Sequence, residues 1–265
     1  MESNMPTDKM IMEKVGPIGW MTFNNPARHN AVSLEMWEGA QEILTDFAKD
    51  DSIRVVVITG AGGKAFVSGA DISKFEDERA SKDAVDHYNA VTAETFKALE
   101  NLEKPTIAMV DGYCIGGGLA VAIGCDLRIC SPKSQFGIPA ARLGLGYGFD
   151  GIRRLVNVVG SSFAKEIVFT AARFKADWAL NAGLVNRIVD GDLKADVVAL
   201  AETIAGNAPL TVKSMKGNIE EAMKDPDVRD LDKCRALSKA CFDSEDYIEG
   251  RRAFMEKREP VFTGR

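Results

Sequence analysis

Little in this chain is arranged for metal or covalent chemistry. Histidine occurs only at His29 and His87, at no metal-ligand spacing, so a zinc site is not expected. Cysteine occurs at Cys114, Cys125, Cys130, Cys234 and Cys241, with no Cys-x-x-Cys pair. An odd count in a chain of 265 residues argues against a disulfide framework and for a reducing compartment, which here implies the cytoplasm. Cys114, Cys125 and Cys130 lie in apolar context and read as core fillers. A Gly-x-Ser-x-Gly elbow is missing, which removes the common serine-hydrolase reading. No run of about 18 apolar residues is present, so no membrane span is expected. The first nine residues are polar and hold no apolar stretch of the kind a secretory leader needs. Basic residues number 33 against 39 acidic, a net charge of −6, the wrong sign for a nucleic-acid surface.

What is present reads as a globular α/β chain. Met10–Val15 and Ile18–Phe23 flank Gly16-Pro17 and predict a hairpin. Ser33 can cap a helix running to Lys49, with Trp37, Ala40, Leu44 and Phe47 on one face. The β-branched run Arg54–Thr59 predicts a strand buried on both faces. A polar helix pair is expected up to Leu102, then a strand over Thr106–Val110. Short strands are expected at Asp126–Cys130 and Gln135-Phe136, and a Gly-rich loop over Pro139–Asp150. The rest is mostly helical: Ile152–Val159, Ser162–Thr170, Asp177–Ala182, a stripe through Val197, Ala201 and Ile204, Pro209–Met223, Leu231–Cys241 and Ser244–Glu256. One strand, Val185–Val189, interrupts it. No repeat stands out by residue identity. Alternating strands and helices followed by helices alone imply an α/β core, residues 1–195, with a C-terminal helical appendage, residues 196–265.

Three glycines, Gly116–Gly118, stand between the Thr106–Val110 run and the apolar helical segment Leu119–Ile123. Glycine admits close backbone approach, and the first amides of a helix lack internal partners at its positive end. A second loop, Ser68-Gly-Ala-Asp71, also follows a buried strand. If the two strands are neighbours, two backbone amides can converge on one oxygen. Such a pair suits a thioester carbonyl that becomes an enolate or a tetrahedral anion.

Several stretches, in this order, resemble the enoyl-CoA hydratase/isomerase (crotonase) family: Asn24-x-Pro…Asn30-Ala, Ser68-Gly-Ala-Asp-Ile72, Gly112-Tyr-x-Ile-Gly-Gly-Gly118, Cys125-Asp-Leu-Arg128, Gln135-Phe-Gly137 and Ala182-Gly-Leu-Val-Asn186. The resemblance covers almost the whole chain. It implies a spiral of ββα units, with the helical appendage mediating trimers and often hexamers. It also implies an acyl-CoA substrate, with CoA as part of the substrate and no separate cofactor. By position it puts the two amides at Ala70 and Gly117. Arg28, Lys64, Ser68, Asp71 and Ile72 fall at the CoA end. Phe254 and Lys257 cover the adenine, from a neighbouring subunit. Read without the family, Arg28, Lys64 and Lys257 are ordinary solvated surface.

The departure matters as much. Hydratases of this family carry two glutamates that do the acid–base work of adding water. The corresponding positions here hold Ala120 and Ala140. Between glycines, Tyr147 and Asp150 can project into a cavity and replace part of that chemistry, and Tyr147 aligns with a tyrosine of decarboxylating relatives. Asp150 can instead cap a helix starting at Ile152, or pair with Arg153 or Arg154. The activity implied is that of an enoyl-CoA hydratase. The alternatives are an acyl-CoA decarboxylase, hydrolase or isomerase using Tyr147 and Asp150, or a non-catalytic acyl-CoA binder. The stretch Gly146–Gly151 also matches G-x-G-x-x-G, but it lacks the preceding strand and the later acidic residue of a dinucleotide site.

Overall fold

The computed structural model describes residues 7–74 and 80–265. Its strands form two sheets. In the first, β1 (Met10–Val15), β2 (Ile18–Phe23), β3 (Val55–Gly60), β5 (Thr106–Val110), β7 (Leu127–Cys130) and β10 (Arg187–Ile188) are neighbours in that order. The β1–β2 hairpin is antiparallel and every later pair is parallel. The second sheet orders β4 (Ala65–Val67), β6 (Tyr113–Ile115), β8 (Gln135–Gly137) and β9 (Phe174–Lys175), with only β9 antiparallel.

The helices are α1 (Leu34–Lys49), α2 (Lys82–Glu100), α3 (Gly117–Gly124), α4 (Phe149–Thr170), α5 (Ala176–Asn181), α6 (Leu193–Ala205), α7 (Pro209–Ala222), α8 (Leu231–Phe242) and α9 (Glu245–Glu256). A three-fold repeat now emerges. The successions β3-β4-α2, β5-β6-α3 and β7-β8-α4 each place one strand in the first sheet, one in the second, and then a helix.

Strand β3 shows why the sheet sits where it does. Its side chains alternate in direction. Val56 and Ile58 enter the main core with Phe23, Phe47 and α3, while Val55 and Val57 enter a second core with Ile18 and Trp20. α6 closes that second core with Leu193, Val197, Ala201 and Ala205. The expected division at 195/196 therefore cuts through a helix that covers the first sheet, and α7–α9 are the helices outside both cores. Among the described residues, no helix is long and apolar enough to cross a membrane.

Several local expectations change. The strand before the glycines is β6 in the second sheet, not β5, because the chain turns at Asp111-Gly112 and changes sheets. The helices expected at Ile152–Val159 and Ser162–Thr170 are both present as the two halves of α4, broken at Gly160, whose φ 72° and ψ 167° are not helical; the first of them starts earlier, at Phe149. Of the helix pair expected up to Leu102, α2 is described, and a 3-10 turn, Ile72–Lys74, lies ahead of it; the expectation for residues 75–79 falls outside the described residues. Ser33 precedes α1 with no side-chain cap bond, its hydroxyl turning to Glu35 instead.

Polar groups tie the layers together. The Asp126 carboxylate accepts from Thr106 N (2.7 Å), Thr106 Oγ1 (2.9 Å) and Lys216 Nζ (2.8 Å), joining α7 to the core. The Arg128 side chain is almost fully enclosed, and among the described residues it pairs with no carboxylate. It donates to Leu184 O (2.8 Å) and to Cys125 O (2.6 Å), at the C-terminal end of α3, where a cation also meets the negative end of the helix dipole. Cys114, Cys125 and Cys130 are buried, and burial pushes the Cys125 and Cys130 thiols up to about 12, so they pack as inert thiols. Hydrogen bonds from charged groups contribute about 1.5–3 kcal/mol each. Arg128→Leu removes these two and a longer third to Ala122 O (3.4 Å), and chemical denaturation is expected to register a loss of about 3–5 kcal/mol.

Candidate active site

Strands β4 and β6 are parallel neighbours, with Ala65 opposite Tyr113 and Val67 opposite Cys114. Both loops singled out in the sequence therefore leave the same end of the second sheet. Gly116 turns the chain out of β6 at φ 56° and ψ −116°, a conformation that side chains resist. A Cβ on Gly118 would overlap the Val67 carbonyl, so the first turn of α3 lies directly against the end of β4. Gly117 faces the opposite turn. Its Cβ position lies 3.9 Å from Gly69 Cα and 4.0 Å from Ala70 N.

The hydrogen bonds of these loops leave two amides over. Ser68 N donates to His29 O (3.2 Å), Asp71 N to Val32 O (2.9 Å) and Gly116 N to Gly137 O (2.8 Å). Among the described residues, the Ala70 and Gly117 amides donate to no backbone acceptor outside strands and helices, and Gly117 is the first residue of its helix. Both residues are half-exposed. Two free donors thus lie side by side at the positive end of α3, which is the arrangement an oxyanion requires.

The neighbouring loop is pinned by Asn30, fully buried, whose amide donates to Ala61 O (2.9 Å) and Ala65 O (2.8 Å) and accepts from Asn25 N (2.9 Å). This brings Arg28 beside the site, its carbonyl accepting from Ser68 Oγ at 3.4 Å, with its side chain exposed. Lys64 is exposed at the other end of β4, about 10 Å of strand away. Asp71 is buried and accepts from Ser73 N (3.1 Å) and Oγ (2.6 Å), while Ile72 is exposed. Phe254 and Lys257 belong to a separate surface of the single chain. Phe254 is 82% exposed on α9, lining an apolar groove of about 1160 Å³ with Met215, Phe242, Tyr247 and Phe262. Lys257 ends that helix in the left-handed region.

Ala120 is buried in α3, one turn from Gly117, and Ala140 is half-buried in the 3-10 turn Pro139–Leu143. Tyr147 packs its ring on the main core and on Gly151, where a Cβ would come within 2.6 Å of Cε1. Burial pushes the Tyr147 phenol above its ordinary value, and the Arg154 charge offsets part of that rise. Its hydroxyl makes no hydrogen bond among the described residues. Asp150 is exposed in the first turn of α4. The helix begins at Phe149 with Gly148 as its cap, so Asp150 caps nothing; Arg153 and Arg154 face Glu100 instead. The motifs did not single out Trp37, whose indole Cζ2 lies 3.8 Å from the Gly117 Cβ position. On an apolar helix face it is indistinguishable from core.

The two adjacent glycines respond oppositely to a methyl group. Gly117→Ala meets nothing nearer than 3.8 Å, so the fold is retained, but the methyl enters the space between the amides. Catalysis is expected to fall by about 10²–10³-fold, because the methyl keeps the oxygen off an amide that is still present, an effect comparable with losing one such donor. Gly118→Ala collides with the Val67 carbonyl and lowers the melting temperature sharply. Circular dichroism melts beside steady-state rates separate the two outcomes.

Comparison with known proteins agrees with this geometry. Residues 13–265 match the family model described as enoyl-CoA hydratase/isomerase. The short-chain-enoyl-CoA hydratase of Clostridium acetobutylicum is 37% identical over 259 residues, covering 96% of this chain and 97% of that protein. The crotonyl-CoA hydratase of Syntrophomonas wolfei is 33% identical over 263 residues, covering 97% and 99%. Among solved structures, an enoyl-CoA hydratase/carnithine racemase from Magnetospirillum magneticum superposes with a TM-score of 0.91 at 35% identity, covering 98% of this chain and 97% of that one. Pseudomonas aeruginosa DspI superposes with a TM-score of 0.90 at 31% identity, covering 99% of each chain. With the sheet order, the paired glycine turns and a match over nearly its full length, the chain belongs to the enoyl-CoA hydratase/isomerase family.

Proposed function

We propose that this protein is a lyase-type enzyme acting on acyl-CoA thioesters, holding the thioester oxygen between the Ala70 and Gly117 amides while negative charge develops on it. The observation that carries this reading is the pair of unused amides where β4 and β6 end together. The names of the relatives point to a short-chain 2-enoyl-CoA as substrate and to hydration as the reaction. Arg28, beside these loops, and Lys64, at the other end of β4, face solvent and suit the phosphates of CoA, lysine acting there as a mobile point charge. CoA is part of the substrate, and no further cofactor is invoked. The five free thiols accord with the cytoplasm.

The chain is proposed to work as a homotrimer or a hexamer. Met215, Ile219, Phe242, Phe254 and Met255 leave a broad apolar surface exposed on α7–α9. A second copy covering it brings Phe254 and Lys257 toward a neighbour's adenine.

Ala120 and Ala140 decide how protons move. With no carboxylate at either position, Tyr147 is the candidate donor, and burial keeps its phenol protonated through neutral pH. Asp150, exposed one turn away, is a candidate to relay protons to solvent. The same two alanines favour a second reading. An oxyanion pair with a single donor serves decarboxylation, thioester hydrolysis or a double-bond shift, in which an enolate or tetrahedral anion needs no pair of carboxylates.

Mixing the protein with crotonyl-CoA tests the first reading: loss of enoyl absorbance at an enzyme-like rate is expected. Binding without any absorbance change rejects hydration and favours a binder or the second reading. Tyr147→Phe is expected to slow turnover by about 10²-fold or more, in line with the worth of a placed proton donor. The protonated phenol is the active form, so that contribution persists below its raised pKa and disappears as pH rises through it. Full turnover by Tyr147→Phe removes the residue from this role.

A further inference from the structure

Gly117 and Gly118 have no side chains with which to anchor the amides they carry. They stay where their neighbours hold them. On one side Gly118 lies against the Val67 carbonyl. On the other, the Trp37 indole faces Gly117, its Cζ2 3.8 Å from where a Cβ would stand.

That indole is itself fixed with unusual completeness. Trp37 is 3% exposed. Its Nε1–H donates to the Tyr88 hydroxyl at 3.1 Å, which sets the rotation of the ring, and its carbonyl accepts from Thr95 Oγ1 at 3.0 Å. Phe23 meets the ring edge-on at 6.4 Å and Phe96 at a tilt at 5.5 Å. Tyr88, Thr95 and Phe96 all belong to α2, spaced to share one face. Beyond Phe96 sits the Arg154 guanidinium, 5.0 Å from the ring centre, on the helix that follows Tyr147. A leucine could fill the same core volume. It could not be locked in rotation by a hydrogen bond, nor present a flat rigid surface to a glycine backbone.

We propose that Trp37 is the positioning residue of the oxyanion-binding pair: its indole, locked to α2 through Tyr88, sets the placement of the Gly117 amide relative to that of Ala70. It touches no substrate and acts through Gly117. The inference rests on the reading of Ala70 and Gly117 as the two donors. Misplacing a reacting or stabilising group by about 1 Å can cost about 10²-fold.

Acetoacetyl-CoA is a suitable probe, because its Cα proton is acidic and its enolate absorbs in the near ultraviolet. A site that stabilises the enolate raises the enolate fraction at fixed pH, without needing turnover. Trp37→Phe, which shortens the ring and removes the N–H, is expected to lower the bound enolate fraction by about tenfold while leaving the Kd within about twofold. Tyr88→Phe keeps the ring volume, removes only the hydroxyl, and is expected to move the fraction the same way by a smaller factor. Trp20→Phe trims the other deeply buried indole, in the second core; it is expected to lower the melting temperature and leave the enolate fraction native. A native enolate fraction in both Trp37→Phe and Tyr88→Phe, with only the melting temperature reduced, overturns the positioning role. Gly117→Ala separates the two layers of the argument. If it abolishes the enolate while Trp37→Phe does not change it, only the role of Trp37 fails; if Gly117→Ala is itself without effect, the oxyanion reading fails with it.

Discussion

The contact between Gly118 and the Val67 carbonyl is the constraint on which the rest depends. No side chain fits between α3 and the end of β4, so the helix starts directly on the strand. That single approach puts the unpaired amides of the first helical turn beside the loop that leaves β4. Parallel pairing of β4 with β6 makes both chains arrive from the same direction. Had the pair been antiparallel, the two loops would emerge at opposite ends of the sheet.

Charge in and around this site is handled by groups without formal charge. On the proposed reading the oxygen is held by the amides of Ala70 and Gly117 and the dipole of α3, with Tyr147 as the proton donor and alanine at positions 120 and 140. Several formal charges in the surrounding layers are compensated. Arg128 neutralises the carbonyl end of α3, Asp126 joins α7 to β5, and Glu100 engages Arg154 from α2. On the proposed reading, such a site stabilises an anion while offering few routes for protons.

Regular elements were legible wherever side-chain periodicity was strong. The β1–β2 hairpin, β3 and α1 lie within a residue or two of their expected bounds, because each carries a long, one-period apolar pattern. Strand β6 escaped notice because Tyr113–Ile115 is too short to show alternation. The break expected inside α4 falls at Gly160, whose non-helical dihedrals separate its two halves. Asp150 read as a cap because the start of α4 was placed at Ile152, and the register of that first turn is set by packing of Tyr147 on Gly151. Trp37 was visible only as one apolar residue among several on α1.

Residue order alone determined the α/β succession, the two glycine-bearing loops, the family resemblance and the loss of both carboxylates. Those features are local: periodicity, backbone permissiveness and residue identity at a position are written in short windows. Tertiary structure decided which loops meet, that β4 and β6 pair in a second sheet, that three ββα units repeat without repeating residues, and that an indole from α1 lies against Gly117. These depend on pairings between segments tens of residues apart. Such contacts come from burial and backbone hydrogen bonding that many sequences satisfy equally well, so no short pattern encodes them.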